Sequence, residues 1–275
     1  MCLRCNHKHK VHKSSAEMGN HMNIAIITGA SSGLGREFAK QIDSNLANSI
    51  DEIWLIARRI ERLEELSNHL RKKTRIIKMD ITNELYMQQF RDMLACEKPI
   101  VKMLLNCAGF GLLGHFNDIS LDEQLGMLEV NCKALTKMTY YVIPYMKKNS
   151  RIIQLASSAA FLPQPNFAVY AATKSYVLSF SYALGEELRD REIIVTAVCP
   201  GPIKTEFFDI AEKYGANLAI KKLSMVEAPG VVRAALRASA KRRSLSVYSP
   251  LIKSMHILTK ILPTKFLLIL LRTIK

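Results

Sequence analysis

The sequence predicts an α/β fold, a doubly wound parallel sheet with helices on both faces, and three observations carry that expectation. From Asn23 onward, short continuous apolar runs alternate with stretches of helical periodicity. Unbroken apolar runs of that length suit strands buried on both faces, and their short connections favour βα units. The polar residues that stand out sit at the ends of the apolar runs or just after them, where an open parallel sheet binds its ligands.

Residues 1–22 show no apolar periodicity and are expected to be a disordered lead-in. Cys2 and Cys5 with His7, His9 and His12 have metal-ligand chemistry but lack a second pair at finger spacing, so no metal site is expected. Asn23 to Thr28 reads as the first strand. It runs into Gly29-Ala-Ser-Ser-Gly33-Leu-Gly35 and a helix pattern from Arg36 to Ile42. In a strand–turn–helix context such glycines let the backbone approach a pyrophosphate, which then sits at the helix N-terminus. The second strand, Glu52 to Ala57, ends in Arg58 and Arg59. An acidic residue there would hydrogen-bond the ribose hydroxyls of NAD, whereas two arginines suit the 2′-phosphate of NADP.

Helix Ile60–Leu70, strand Arg75–Met79, a cap at Asp80-Ile81-Thr82 and helix Asn83–Cys96 continue the alternation. Strand Val101–Leu105 leads to Asn106-Cys107-Ala108-Gly109 and a loop to Phe116, before one long helix from about Leu121 to Met146, bent near Pro144. A central strand over 151–156, a helix over 170–189 and a strand Ile193–Cys199 complete the pattern. Tyr170 and Lys174 lie four apart, which places a phenol and an ammonium on one helix face. A tyrosine ordinarily titrates near 10, and a cation one turn away favours its phenolate, so the group can exchange a proton with a bound alcohol or ketone. Ser157, at the end of the central strand, could hold a substrate oxygen beside that phenol.

A chain of 275 residues, 49% hydrophobic and 23% charged, fits one large globular domain. The six cysteines follow no framework spacing, which suits a reduced, cytoplasmic protein. No apolar run reaches the roughly eighteen residues of a membrane span, and no apolar stretch before Asn23 resembles a secretory signal. The net charge of +15 is unevenly placed: ten Lys and Arg and no Asp or Glu lie between Ala228 and Lys275. Within that stretch, residues 251–275 read as a basic amphipathic segment that Pro263 breaks into two short helices. Such a segment suits the surface of an anionic membrane or a lid folded on the chain itself. Nucleic acid is not expected as a partner, because no recognition motif or aromatic interleaving accompanies the charge.

In these motifs, and over about Asn23 to Tyr248, the chain resembles the short-chain dehydrogenase/reductase family. The glycine motif stands as Thr28-Gly29-x-x-x-Gly33-x-Gly35, the family's N-N-A-G as Asn106-Cys107-Ala108-Gly109, and Y-x-x-x-K as Tyr170 and Lys174. A helix asparagine matches Asn131, and Pro200-Gly201 with Thr205 matches the P-G motif. Ser157 takes the serine position by its spacing to Pro165, with Ser158 as the fallback.

The resemblance implies a Rossmann-like sheet of about seven strands in a catalytic domain over 23–250, followed by the basic tail. It implies Tyr170 as acid and base, Lys174 as the group that lowers its pKa and binds ribose, Ser157 as substrate anchor and Asn131 in a proton relay. Gly29, Ser31, Ser32, Gly33, Leu34 and Gly35 would hold the pyrophosphate, and Asp80 and Ile81 would flank the adenine. Asn106, Ala108 and Gly109 would line the cleft, with Pro200, Gly201, Ile203 and Thr205 on the nicotinamide side. The segment 206–227 would fold over the substrate, with Leu112, Leu113, Phe116, Phe207, Phe208, Ile210, Tyr214, Leu218 and Leu223 as apolar walls. The expected activity is NADP(H)-dependent interconversion of a ketone and a secondary alcohol on an apolar, steroid-like or fatty-acyl-like substrate, working as a reductase. A dimer or tetramer through the helices 121–146 and 170–189 is expected, peripheral to the inner face of a membrane. A membrane-associated dinucleotide-binding protein with little turnover is the alternative.

Overall fold

The computed structural model describes residues 22–45, 49–215 and 225–273. The expected lead-in, its cysteines and histidines, and Leu218 and Leu223 lie outside the described residues.

Seven strands form one sheet: β1 (Asn23–Thr28), β2 (Glu52–Ala57), β3 (Lys73–Lys78), β4 (Ile100–Asn106), β5 (Arg151–Leu155), β6 (Ile194–Val198) and β7 (Leu245–Ser246). Their order is β3-β2-β1-β4-β5-β6-β7 and every pairing is parallel. Neighbouring β1 and β4 are not consecutive in the chain, so the winding reverses between them and opens a crevice at their C-terminal ends.

The helices cover both faces, and the period-two alternation of the strands decides which residue meets which layer. Ala25 and Ile27 of β1 face the layer of α1 (Gly33–Asn45) and α2 (Ile60–Asn68), through Phe38, Ile42, Leu63 and Leu66. Ile24 and Ile26 face the opposite layer, made by α3 (Glu84–Glu97), α4 (Leu121–Leu128), α5 (Leu135–Val142) and α6 (Ala168–Glu187), through Phe90, Met138 and Leu184. After β6 come α7 (Phe207–Ala211), α8 (Ala228–Ala240), α9 (Pro250–Ile261) and α10 (Thr264–Thr273). Helix α8 packs on α1, and Pro263 separates α9 from α10 as its missing N–H and fixed φ predict.

The long helix expected over 121–146 is not one α-helix. A π segment, Glu129–Ala134, interrupts it at Asn131, and a 3-10 turn at Ile143–Tyr145 ends it around Pro144. Single-turn π bulges inside α-helices recur at functional sites.

One carboxylate is built into the sheet. Glu52, at the start of β2, is buried and accepts from the Trp54 indole N–H at 2.9 Å. Lys73 Nζ lies 3.3 Å from it and Arg75 3.7 Å, while the Arg75 guanidinium also covers the Trp54 ring at 4.6 Å. The carboxylate joins β2 to β3 where the sheet ends. Glu52→Ala leaves the indole N–H unpaired inside the fold and should cost about 2–4 kcal/mol, seen as a lower urea midpoint at unchanged m-value.

Candidate active site

The crevice at the strand ends is a cavity of about 1030 Å³, running from the glycine-rich turn to the N-terminal part of α6. Two contacts explain why the turn needs glycine. Gly29 has φ +66, and a Cβ there would lie 2.8 Å from the Ala108 backbone. A Cβ on Gly35 would lie 2.4 Å from the carbonyl oxygen of Gly29. Thr28 sews the turn to β4, its hydroxyl accepting from the N–H groups of Cys107 at 3.1 Å and Ala108 at 3.2 Å. Gly33 opens α1, so unpaired backbone N–H groups face the crevice together with Ser31 and Ser32. A group bearing a pyrophosphate fits this cradle.

Arg58, Arg59, Asp80 and Ile81 line the same end. Arg58 is 78% exposed, with Asp80 at 3.9 Å. Arg59 is committed: it donates to Ser31 Oγ at 3.2 Å and Ser32 Oγ at 2.8 Å, and pairs with Glu206 at 3.0 Å. Asp80 caps its own turn, accepting from Thr82 N–H at 2.9 Å, while Asn83 caps α3.

At the other end, Tyr170 and Lys174 share one face of α6, and both are buried. The Tyr170 ring stacks on Phe167, centroids 4.2 Å apart, and meets Phe207 at 5.5 Å. Lys174 Nζ donates to the Leu155 carbonyl at 2.8 Å and lies 5.5 Å from the centre of the Tyr170 ring. Burial draws the Lys174 pKa down to about 8. Burial also pushes the Tyr170 phenol up, opposed by its hydrogen bond with Ser157. The lowering expected from Lys174 is not what opposes burial here; the Ser157 hydrogen bond is, and desolvation outweighs it.

Ser157, not Ser158, is the serine aimed at the phenol. Its Oγ accepts from Ala159 N–H at 3.1 Å, which leaves its own proton free to donate. Ser158 is anchored through its N–H to the Pro200 carbonyl at 2.8 Å and lines the cavity beside it.

Five residues expected at the site stand elsewhere. Asn106 is buried beneath the cleft floor, its Nδ2 donating to Thr139 Oγ1 and Gln154 Oε1, both at 2.9 Å. It joins β4 to α5 and β5, because the last strand residue points into a helix layer. Asn131 lies one layer behind the cavity: its side chain donates to the Phe110 carbonyl at 2.8 Å and Thr173 Oγ1 at 3.0 Å, and accepts from Phe110 N–H at 3.1 Å. It still borders the site, since a Cβ on Gly109 would touch both its Oδ1 and Lys174 Nζ. Leu112 and Leu113 pack behind Tyr170 and Phe208, and Phe116 is exposed.

Gly29, Ser31, Ser32, Gly33, Leu34, Gly35, Ala108, Gly109, Pro200, Gly201, Ile203, Thr205, Phe207 and Phe208 do line the cavity. Sequence reasoning missed Phe110, Phe167 and Glu206, and it missed Ile252 and Met255 of α9, which complete the apolar wall. Phe167, three residues before Tyr170, carried a signal in its helical spacing. Glu206 carried none, because its partners lie 144 and 147 residues away.

Among the described residues, no group of three or more His, Cys, Asp or Glu could hold a metal, and no helix is long and apolar enough to cross a membrane.

The short chain dehydrogenase family model matches residues 23–214. A sulfoacetaldehyde reductase of Chromohalobacter salexigens is 34% identical over 191 residues, covering 67% of this chain and 74% of that protein. A very-long-chain 3-oxoacyl-CoA reductase of Homo sapiens is 30% identical over 196 residues, covering 68% of this chain and 61% of that protein. Among solved structures, a short-chain dehydrogenase of Sphingobium yanoikuyae in complex with NADPH has a TM-score of 0.71 at 24% identity, over 88% of this chain and 96% of that one. A short-chain dehydrogenase/reductase of Burkholderia phymatum in complex with NAD has a TM-score of 0.73 at 23% identity, over 86% and 92%. With its seven-stranded parallel sheet, its glycine turn and a family match over most of its length, the chain belongs to the short-chain dehydrogenase/reductase family of nucleotide-binding oxidoreductases.

Proposed function

We propose that the protein reduces a ketone on an apolar substrate with NADPH, and that Ser157, Tyr170 and Lys174 carry the reaction. The observation that supports this most is their convergence at the far end of a crevice that begins in a pyrophosphate cradle. NADPH supplies the hydride; the chain supplies geometry and the proton. The Ser157 hydroxyl, whose oxygen already accepts from Ala159, donates to the carbonyl oxygen and holds it beside Tyr170. Tyr170 donates its proton to that oxygen. Lys174, still charged at neutral pH, stabilises the phenolate that remains and binds the nicotinamide ribose. Asn131, its side chain committed to Phe110 and Thr173, braces the wall behind Lys174 and would support a water-linked proton relay behind that lysine.

Ala57 stands where an acidic residue would select NAD, and Arg58 and Arg59 follow it, which supports NADPH. Asp80 and Ile81 flank the adenine. Pro200, Gly201, Ile203 and Thr205 meet the nicotinamide half. Phe110, Phe167, Phe207, Phe208 and Met255 favour an apolar substrate, and Glu123 and Glu129 on the same cavity disfavour an anionic one. The human relative is named for a very-long-chain 3-oxoacyl-CoA, whose acyl chain is apolar although its CoA end is anionic. Exposed Leu121, Leu125, Tyr140 and Tyr176 on α4, α5 and α6 support a dimer through those helices. Exposed Leu258, Ile261, Phe266 and Ile269 on α9 and α10, beside Lys253, Lys260 and Lys265, support contact with an anionic membrane surface.

Tyr170→Phe should lower kcat/KM for ketone reduction by about a thousandfold and leave NADPH binding within about threefold; undiminished reduction by the variant would overturn Tyr170 as the proton donor, and a natural chain that binds NADPH but reduces no ketone would be a binding protein. Energy transfer from Trp54, the single tryptophan, to the nicotinamide should show NADPH binding at least about tenfold tighter than NADH, a margin that Arg58→Ala reduces. Equal affinities would sink the phosphate reading. Lys174 yields a prediction of opposite sign for stability. A folded pKa of about 8 against 10.5 means that burying the charge costs roughly 3 kcal/mol at pH 7. Lys174→Met should abolish reduction yet raise Tm by about 5 °C at pH 7. That gain over the natural chain should shrink between pH 8 and 10.5, where the folded lysine is neutral and only the unfolded one still holds its proton.

A further inference from the structure

Glu206 sits between two charged clusters that neither the catalytic groups nor the glycine turn require. Its carboxylate accepts from Arg59 at 3.0 Å and from Arg62. Arg59 reaches from the end of β2 to Ser31 and Ser32 on one side and to Glu206 on the other. Glu206 follows Thr205 and precedes Phe207, whose ring meets Tyr170. One carboxylate therefore ties the adenosine end of the cavity to the residue beside the reacting phenol. The far end of the same segment is held separately. Lys213 and Tyr214 both bind Glu123 on α4, the former at 2.6 Å, and Leu113 N–H donates to the Ala211 carbonyl at 2.8 Å.

We propose that Glu206 is a specificity-determining residue: its carboxylate occupies the arginine that a 2′-phosphate needs, so NADPH must displace it while NADH need not. This inference rests on the reading of Arg58 and Arg59 as the 2′-phosphate site. Arg58, Arg59 and Glu206 line one end of one cavity, so a phosphate placed there meets two guanidiniums and one competing carboxylate. Arg59 gives Glu206 one nitrogen and gives Ser31 and Ser32 the others, so a phosphate that takes the Arg59 guanidinium must displace the carboxylate from that nitrogen. The two guanidiniums on Glu206 also keep its pKa below the usual carboxylate range, Arg62 first and Arg59 second, so it competes as an anion at every pH at which the enzyme would work. All three side chains are about two-fifths exposed, where ion pairs are weak, so the phosphate, with nearly two charges, wins the exchange.

Displacement stays local: released from Arg59, Glu206 keeps its pair with Arg62 on α2, so the start of α7 remains held against α2.

The test is Glu206→Gln, which removes the charge and keeps the shape. Dissociation constants for NADPH, NADH and 2′,5′-ADP are read by Trp54 energy transfer or by calorimetry. The expected result is about three- to tenfold tighter NADPH and 2′,5′-ADP with NADH unchanged. Weaker NADPH binding, or equal tightening of both cofactors, overturns the inference and makes Glu206 a brace for Arg59. If the natural chain shows no preference between the cofactors, the arginine reading falls by itself. The inference on Glu206 then stands only if Glu206→Gln creates a preference for NADPH, and falls if it does not.

Discussion

The active crevice depends on one close approach, between the turn after β1 and the strand end of β4. Thr28 accepts from two successive N–H groups of the β4 loop, and Gly29 lies against Ala108 with no room for a side chain. That contact sits where the winding of the sheet reverses, so it sets the width of the cleft between the two halves. The cradle of N–H groups at α1, the floor made by Ala108 and Gly109 and the position of Lys174 beside that floor all take their spacing from it. A larger residue at 29 would move the pyrophosphate end away from the catalytic end, and the site works only if one cofactor spans both.

The catalytic end is a region where stability is given up for chemistry. Lys174 is buried with the Leu155 carbonyl as its hydrogen-bond acceptor, and Tyr170 is stacked on Phe167 and buried, and the burial raises its pKa. Neither arrangement helps the chain fold. The surroundings compensate through polar groups that are well paired: Asn131 binds the loop at Phe110 and the helix at Thr173, and Thr173 in turn donates to the Tyr170 carbonyl at 2.7 Å. Perturbed groups on a rigid, satisfied frame are what general acid catalysis needs.

Much of this was legible in the chain itself, for a physical reason. β1, β2, β4, β5 and β6 are continuous apolar runs because they are buried on both faces, and the glycine turn follows β1 without a gap. β7 escaped because two residues make no pattern, and α8 because Pro229 and Gly230 in its first turn look like a loop. The π segment at Asn131 is invisible to a 3.6-residue period, since one extra residue does not disturb the apolar face. The family resemblance put Asn106 in the cleft, but the pleat turns this last residue of β4 inward to Thr139 and Gln154. The pairing of Glu206 with Arg59 and Arg62 joins segments distant in the chain, and no local pattern foretells it.

The tail has a consequence for how such an enzyme diversifies. Ile252 and Met255 form part of the cavity wall, and Ile252 packs so tightly on Gly201 that a Cβ there would sit 2.9 Å from it. Both lie beyond residue 214, where the shared family pattern stops. The residues proposed for catalysis thus lie in the first three-quarters of the chain, and part of the cavity wall lies in a helix outside the family match. A change in α9 would reshape the cavity without touching Ser157, Tyr170 or Lys174, so two proteins of this family that share those residues need not share a substrate.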